Sequence, residues 1–353
     1  MMQKDRDPSF DAFRGIAIIA AVAIHAAYMG FSIRNTPKEE WNFPFLVAYC
    51  QLLNFCIPVF FFISGYFVST KLIESWKDYW IFITRRLSRI LVPYFFWSVI
   101  LLGYAAIREN KFDVYQIIFK LIAGKAAFPY YPYYFILVLA QLYVLTPLLH
   151  YLNSRQYGAT LIILVNVIGL LGLYLSRMGI IWRFPITLSV RLWIVFYEMG
   201  LLIGNPADNL FSFRKLRFLI LPCLLVSVII MELEGYVIIS KFHDVFFAVS
   251  ITRYSSFLYS MFVIFGFLAL REHISRWPGF LIILGKCSFG IYLIHMSVLN
   301  KVFEYTRTID AVYSFQPLYQ LIVLSVTILI CFVFISVARK LLSGPFCEKI
   351  LGF

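Results

Sequence analysis

The chain is built from apolar runs of about 20 residues, each broken by a short cluster of charge, proline or glycine. A helix rises 1.5 Å per residue, so such a run spans the roughly 30 Å of bilayer hydrocarbon. The pattern predicts about ten spans, at 10–30, 44–70, 90–108, 132–152, 159–176, 187–205, 216–233, 254–271, 280–300 and 317–342. The stretch 234–253 does not fit: Tyr236–Ser240 and Val245–Ile251 are too short to cross and read as an interfacial or re-entrant piece. The fold class expected is therefore all-α, a polytopic membrane protein forming one domain over 1–353, because no segment between spans is long enough for another. The spans share no fixed period, which argues against an inverted-repeat transporter.

An even number of spans puts both termini on one side, and the distribution of cations decides which. The segments that would share a side with the N-terminus carry Lys71, Lys77, Arg85, Arg86, Arg89, Arg214, Lys215, Arg217, Arg339, Lys340 and Lys349. Most acids, among them Glu39, Glu40, Glu109, Asp113, Glu304 and Asp310, fall opposite. Both termini are expected in the cytoplasm.

Composition agrees with lipid as the main solvent. Hydrophobic residues make up 61% of the 353 and charged residues only 14%, against roughly a quarter charged in soluble domains. The formal charge of +13 does not form a basic face with interleaved aromatics, so it is assigned to topology and anionic headgroups, with no nucleic-acid partner. Cys50, Cys56, Cys223, Cys287, Cys331 and Cys347 include no C-x-x-C pair and read as small buried hydrophobes. The first apolar run, Gly15–Phe31, lacks a small-residue cleavage site and is expected to be retained.

Within that first run lie Asp11, Arg14 and His25. At 100° per residue, the steps from Arg14 to His25 return to within about 20° of the same direction, and Asp11 is one turn before Arg14. All three share a face. Their axial separation keeps Arg14 and His25 about 16 Å apart, so they cannot touch. Taken singly, Arg14 reads equally as a topological anchor paired with Asp11, and His25 as an interfacial histidine. On one face they become two stations for a long ligand, with a guanidinium suited to phosphate or carboxylate and an imidazole suited to proton exchange.

Four blocks in order carry a resemblance: Phe10-Asp11-Ala12-Phe13-Arg14-Gly15 with His25 following; Phe60-Phe61-Phe62-Ile63-Ser64-Gly65-Tyr66; Arg85-Arg86-Leu87-Ser88-Arg89-Ile90-Leu91-Val92-Pro93; and Ser288-Phe289-Gly290-Ile291-Tyr292-Leu293-Ile294-His295. Together they resemble the membrane-bound acyltransferase-3 family over nearly the whole chain. The resemblance implies a ten-helix enzyme that moves an acyl group, usually acetyl from acetyl-CoA, onto an extracytoplasmic glycan hydroxyl. Arg14 and His25 match the family's signature pair, with His25 the implied catalytic residue. Many relatives carry a His-Leu-Trp-Phe-type block at the fourth span, whereas Tyr131-Pro132-Tyr133-Tyr134-Phe135 stands here without the histidine. Some relatives add an esterase-like domain after the last span, and this chain ends at Phe353.

Other residues carry chemistry in two senses each. Arg85, Arg86 and Arg89 serve as a positive-inside anchor or as a cradle for the phosphates of the donor. Ser288, Tyr292 and His295 line one face of the ninth span, as interhelical glue or as groups that orient donor or acceptor. Glu198, in an apolar segment, needs a cation or a proton, with Arg14 or Arg191 as candidate partner. The Ser64-Gly65 pair reads as close helix approach before it reads as a nucleophile. His150, His243 and His273 receive no role, and no metal cluster, serine-hydrolase elbow or glycine-rich phosphate loop is expected.

The function expected is O-acyl transfer from cytoplasmic acyl-CoA, a substrate rather than a bound cofactor, to a surface glycan such as O-antigen, in the bacterial plasma membrane. His25 would act as general base or take the acyl group itself, with Asp11 orienting Arg14. The competing reading is a transporter or flippase of a glycan or lipid-linked intermediate, which explains the polar groups but not the four-block match; a scaffold explains least.

Overall fold

The computed structural model describes residues 7–29, 37–38, 40–70, 73, 75–109, 113–122, 133–178, 180, 190–205, 213–274, 276–306, 308–309 and 313–353. Tyr131 and Pro132 of the fourth-span block lie outside these residues, as do Glu39, Lys71 and Asp310 of the charge count.

Helix α1 (Pro8–Met29) begins on a proline, whose missing N–H costs nothing at the first helical position. Asp7 accepts from the Ser9 N–H at 2.9 Å and closes that end. The run at 44–70 becomes two helices, α2 (Asn42–Leu52) and α3 (Cys56–Tyr66). Pro58 is the cause: it has no N–H for the Asn54 carbonyl, and its ring crowds that same carbonyl. Asn54 in the resulting turn is buried, so its polar side chain needs partners. The Tyr259 hydroxyl donates to the Leu52 carbonyl at 2.8 Å, and the Asn54 amide donates to the Val249 carbonyl at 3.3 Å and the Ser256 hydroxyl at 3.2 Å.

Helix α4 (Trp76–Glu109) starts well before the expected 90. A capping box explains the early start: the Asp78 N–H donates to the Ser75 hydroxyl at 3.1 Å, and the Ser75 N–H to the Asp78 carboxylate at 3.2 Å. There follow α5 (Val114–Ile122), α6 (Tyr134–Asn153), α7 (Gly158–Arg177) and α8 (Val190–Gly204).

Helix α9 (Arg217–Phe242) corrects the expectation for 234–253. Glu232 and Glu234 interrupt the hydropathy, but glutamate is a good helix former and the backbone runs straight through Tyr236–Ser240. The helix stops at His243, in the left-handed region with φ 53°. Asp244 then caps a single turn, α10 (Val245–Ala248), accepting from Phe247 N–H at 2.9 Å. Helices α11 (Tyr254–Leu270), α12 (Gly279–Thr306) and α13 (Gln316–Leu341) follow, and Gly344–Phe346 leads into a wide final turn at Cys347–Leu351.

Among the described residues, eight helical segments are long and apolar enough to cross a membrane, α2 and α3 together making one; α11 is apolar but has 17 residues. Among the described residues there is no strand. Leu219, Leu225 and Ile229 on α9 and Leu321 and Leu329 on α13 are exposed, which suits a surface in lipid. This is an all-helical, multi-pass membrane protein. The chain divides into two compact units, 1–60 with 209–336 and 61–208 with 337–353. In the first, α1 packs chiefly on α12 and α9 on α11; in the second, α4 packs on α6 and α7 on α8.

Candidate active site

In the first unit the contact between α1 and α12 is made by backbone. A Cβ on Gly15 would overlap the Leu281 carbonyl, and one on Gly285 would overlap the Asp11 carbonyl. These reciprocal contacts set Gly15 level with Gly285. Further along both helices His25 meets His295, so the two run parallel. Buried Ala12, Ala17, Ala20, Ala23 and Ala27 keep α1 slim enough for such packing. Phe13 stacks on Phe267 of α11 at 4.0 Å between centroids, and Arg271 reaches Asp7 at 3.9 Å, fixing the start of α1 from a second side.

That frame places the first-helix residues at two levels. At the lower level Arg14 Nη1 lies 3.8 Å from Asp11 Oδ1, with Asp11 buried and Arg14 about a quarter exposed at 24%. A buried carboxylate beside a partly open guanidinium leaves a cationic group facing accessible space while its counter-charge stays fixed. At the upper level the imidazoles of His25 and His295 face one another with centroids 5.4 Å apart. His295 is completely buried and its Nδ1 lies 2.7 Å from the Tyr292 carbonyl and 3.1 Å from that of Ile291. Two carbonyls can only accept, so Nδ1 carries the proton. Ser288 and Tyr292 lie on the same helix and are also buried, with the Tyr292 ring 5.9 Å from His295. Of the six expected first-unit residues, Asp11 meets Gly285 across the α1–α12 seam and His25 faces His295 there; Arg14 pairs with Asp11 on α1, and Ser288 and Tyr292 lie on α12 between Gly285 and His295.

An apolar wall stands beside the upper level. Ala27, Phe43, Leu46, Val47, Cys50 and Val249 form one buried cluster, with Ile24 packed against it.

In the second unit the three arginines separate. Arg85 and Arg89 are exposed on α4, whereas Arg86 turns inward, its guanidinium 5.5 Å from the Tyr143 ring centroid and 6.0 Å from that of Phe82. Glu198 on α8 is buried at 3% exposure, and neither carboxyl oxygen has a hydrogen-bond partner among the described residues. Asn153, at the end of α6, lies close without normal hydrogen-bond geometry. Gly65 marks close helix approach: a Cβ there would overlap the Tyr197 carbonyl of α8, and one on Gly200 would overlap the Phe62 carbonyl.

One buried cation escaped the sequence reading. Arg253 is fully buried at the start of α11, and it donates to the Met231 carbonyl at 3.0 Å, to Gln51 Oε1 at 2.7 Å and to the Ser250 carbonyl at 3.3 Å. Its Nη1 also lies 3.7 Å from the Glu234 carboxylate, which accepts from Ser255. Arg253 therefore ties α9 and α11 to the end of α2. In the sequence it looked like an ordinary flank of a span; the available signal was the pair of acids one span earlier, which need a cation nearby.

No three His, Cys, Asp or Glu side chains come together to hold a metal ion among the described residues. Comparison with curated proteins and with solved structures finds no match. The family model described as an acyltransferase domain matches residues 7–336, which takes in Asp11, Arg14, His25 and His295 together with the helices that position them. With that match over nearly its whole length, the chain belongs to the acyltransferase-3 family.

Proposed function

We propose that this acyltransferase takes an acyl group, most simply acetyl, from acyl-CoA on the cytoplasmic side and transfers it to a hydroxyl of an extracytoplasmic glycan, a surface polysaccharide such as O-antigen. The observation that carries this reading is the two-level arrangement on α1: a guanidinium held by a buried carboxylate at one level and an imidazole at the other, about 16 Å along the same helix. A donor with anionic phosphates at one end and a thioester at the end of a long arm fits two stations of this kind. Within the second unit, Arg85 and Arg89 are exposed groups of a kind suited to phosphates, and Glu198 is a buried polar group retained as a candidate for donor binding. The distribution of Lys and Arg supports both termini in the cytoplasm of a bacterial plasma membrane.

In the transfer step His25 takes the proton of the sugar hydroxyl through Nε2, because Nδ1 is buried. The oxygen attacks the thioester carbonyl, the C–S bond breaks, and the imidazolium returns the proton to the departing thiolate. Asp11 keeps Arg14 oriented, and no charge is created or lost overall.

Mass spectrometry of surface glycans from a deletion strain and its parent tests the reading. Loss of one acyl substituent from an otherwise intact, exported glycan is expected. Loss of the glycan itself from the surface would favour the transporter, and unchanged acylation would refute the enzyme.

A further inference from the structure

We infer that His295 is a positioning residue that holds His25 in the tautomer needed for base catalysis; this rests on the transfer reading above. The argument starts from His295, whose Nδ1 faces the carbonyls of Tyr292 at 2.7 Å and Ile291 at 3.1 Å. Its proton is therefore on Nδ1 and its Nε2 carries a lone pair. That Nε2 is buried and has no hydrogen-bond partner among the described residues.

Facing it across the α1–α12 seam is His25, its ring centroid 5.4 Å away and tilted by 35°, with a buried Nδ1 that also has no partner among the described residues. Two buried, unpaired ring nitrogens in adjacent imidazoles are each costly alone. The structure holds no hydrogen bond between them, and one that joined them could form in only one sense, since His295 Nε2 can only accept and His25 Nδ1 would have to donate. In the opposite tautomer two lone pairs would face each other. The outward nitrogen of His25 would then carry a proton and could not accept one from a hydroxyl. The sequence Tyr292 C=O, His295 Nδ1–H, His295 Nε2, His25 Nδ1–H leaves His25 Nε2 as the lone pair that meets substrate. A carboxylate does this for histidine in hydrolase triads, where loss of the correct tautomer costs about 10⁴ in rate; a neutral imidazole does it here without placing a charge in the membrane.

The test is ¹⁵N NMR of histidine-labelled protein in lipid nanodiscs, which reads the tautomer of His25 directly, paired with acetyl transfer from labelled acetyl-CoA. In the wild type His25 is expected as Nδ1–H. His295→Phe, which fills the space without a lone pair, should release His25 to the Nε2–H form and lower kcat by about 10²- to 10⁴-fold, with KM for acetyl-CoA within about threefold of wild type. His295→Gln offers an amide oxygen near the Nε2 position and should keep Nδ1–H and most of the rate. If the phenyl ring prevents folding, His295→Leu serves the same comparison. A His25 that stays Nδ1–H in His295→Phe, or a His295→Gln no better than His295→Phe, would overturn the inference. A tautomer shift in a protein that transfers no acetyl group would support the lock and remove the transfer reading instead.

Discussion

Gly285→Ala puts the weight of the account on a single methyl group. The Cβ of residue 285 would overlap the Asp11 carbonyl, which belongs to the backbone of α1 and cannot swing aside as a side chain would. A carbon and a carbonyl oxygen settle at about 3.3–3.6 Å, so α1 and α12 must part by an ångström or more. Overpacking of this kind costs about 1–3 kcal/mol of stability. Its effect on chemistry should be larger, because a displacement of about 1 Å in a catalytic group costs about 10²-fold in rate. Gly279→Ala, on the same helix, is the control, because nothing lies within 4 Å of a Cβ there. Thermal unfolding in detergent and acetyl transfer in nanodiscs read the two effects separately. Gly285→Ala should melt several degrees lower and lose about two orders of magnitude in rate, with Gly279→Ala close to wild type. Equal behaviour of the two variants would refute the claim that backbone contact at this seam sets the site.

Arg253→Leu should destabilise the protein by about 3–5 kcal/mol in chemical unfolding, because Glu234 and Gln51 lose a buried cationic donor; a change below about 1 kcal/mol would show that the network is dispensable. Arg14→Lys keeps charge but loses the planar fork beside Asp11, and transfer assays should find most activity gone, whereas a wild-type rate would reduce Arg14 to an anchor. The double change Arg85→Gln and Arg89→Gln should raise KM for acetyl-CoA, more at low than at high ionic strength, while Arg86→Gln should lower the melting temperature through its lost ring contacts and leave KM alone.

The membrane class and most helices follow from run length alone, and the shared face of Asp11, Arg14 and His25 follows from the helical period. Three features did not. Pro58 stands in plain view, but a hydropathy run absorbs one proline, and the break becomes visible only through the polar groups that gather on it, Asn54 and Tyr259. Glu232 and Glu234 lowered the hydropathy of 234–242 without lowering its helix propensity, so a span was cut short that the backbone continues. The partnership of His25 with His295 depends on which faces of α1 and α12 meet. Periodicity orders residues around each helix separately, and the choice between faces is made by Gly15 and Gly285. Of these, Gly15 lies inside a recognised motif and Gly285 does not.

Purified protein in liposomes, given labelled acetyl-CoA and a deacetylated surface glycan, puts the central claim to its most direct test when wild type and His25→Ala are compared. Label should pass to glycan hydroxyls with the wild type and not with His25→Ala, at equal amounts of inserted, folded protein. Equal labelling by both would contradict the assignment of His25, and with it the site built on the first helix.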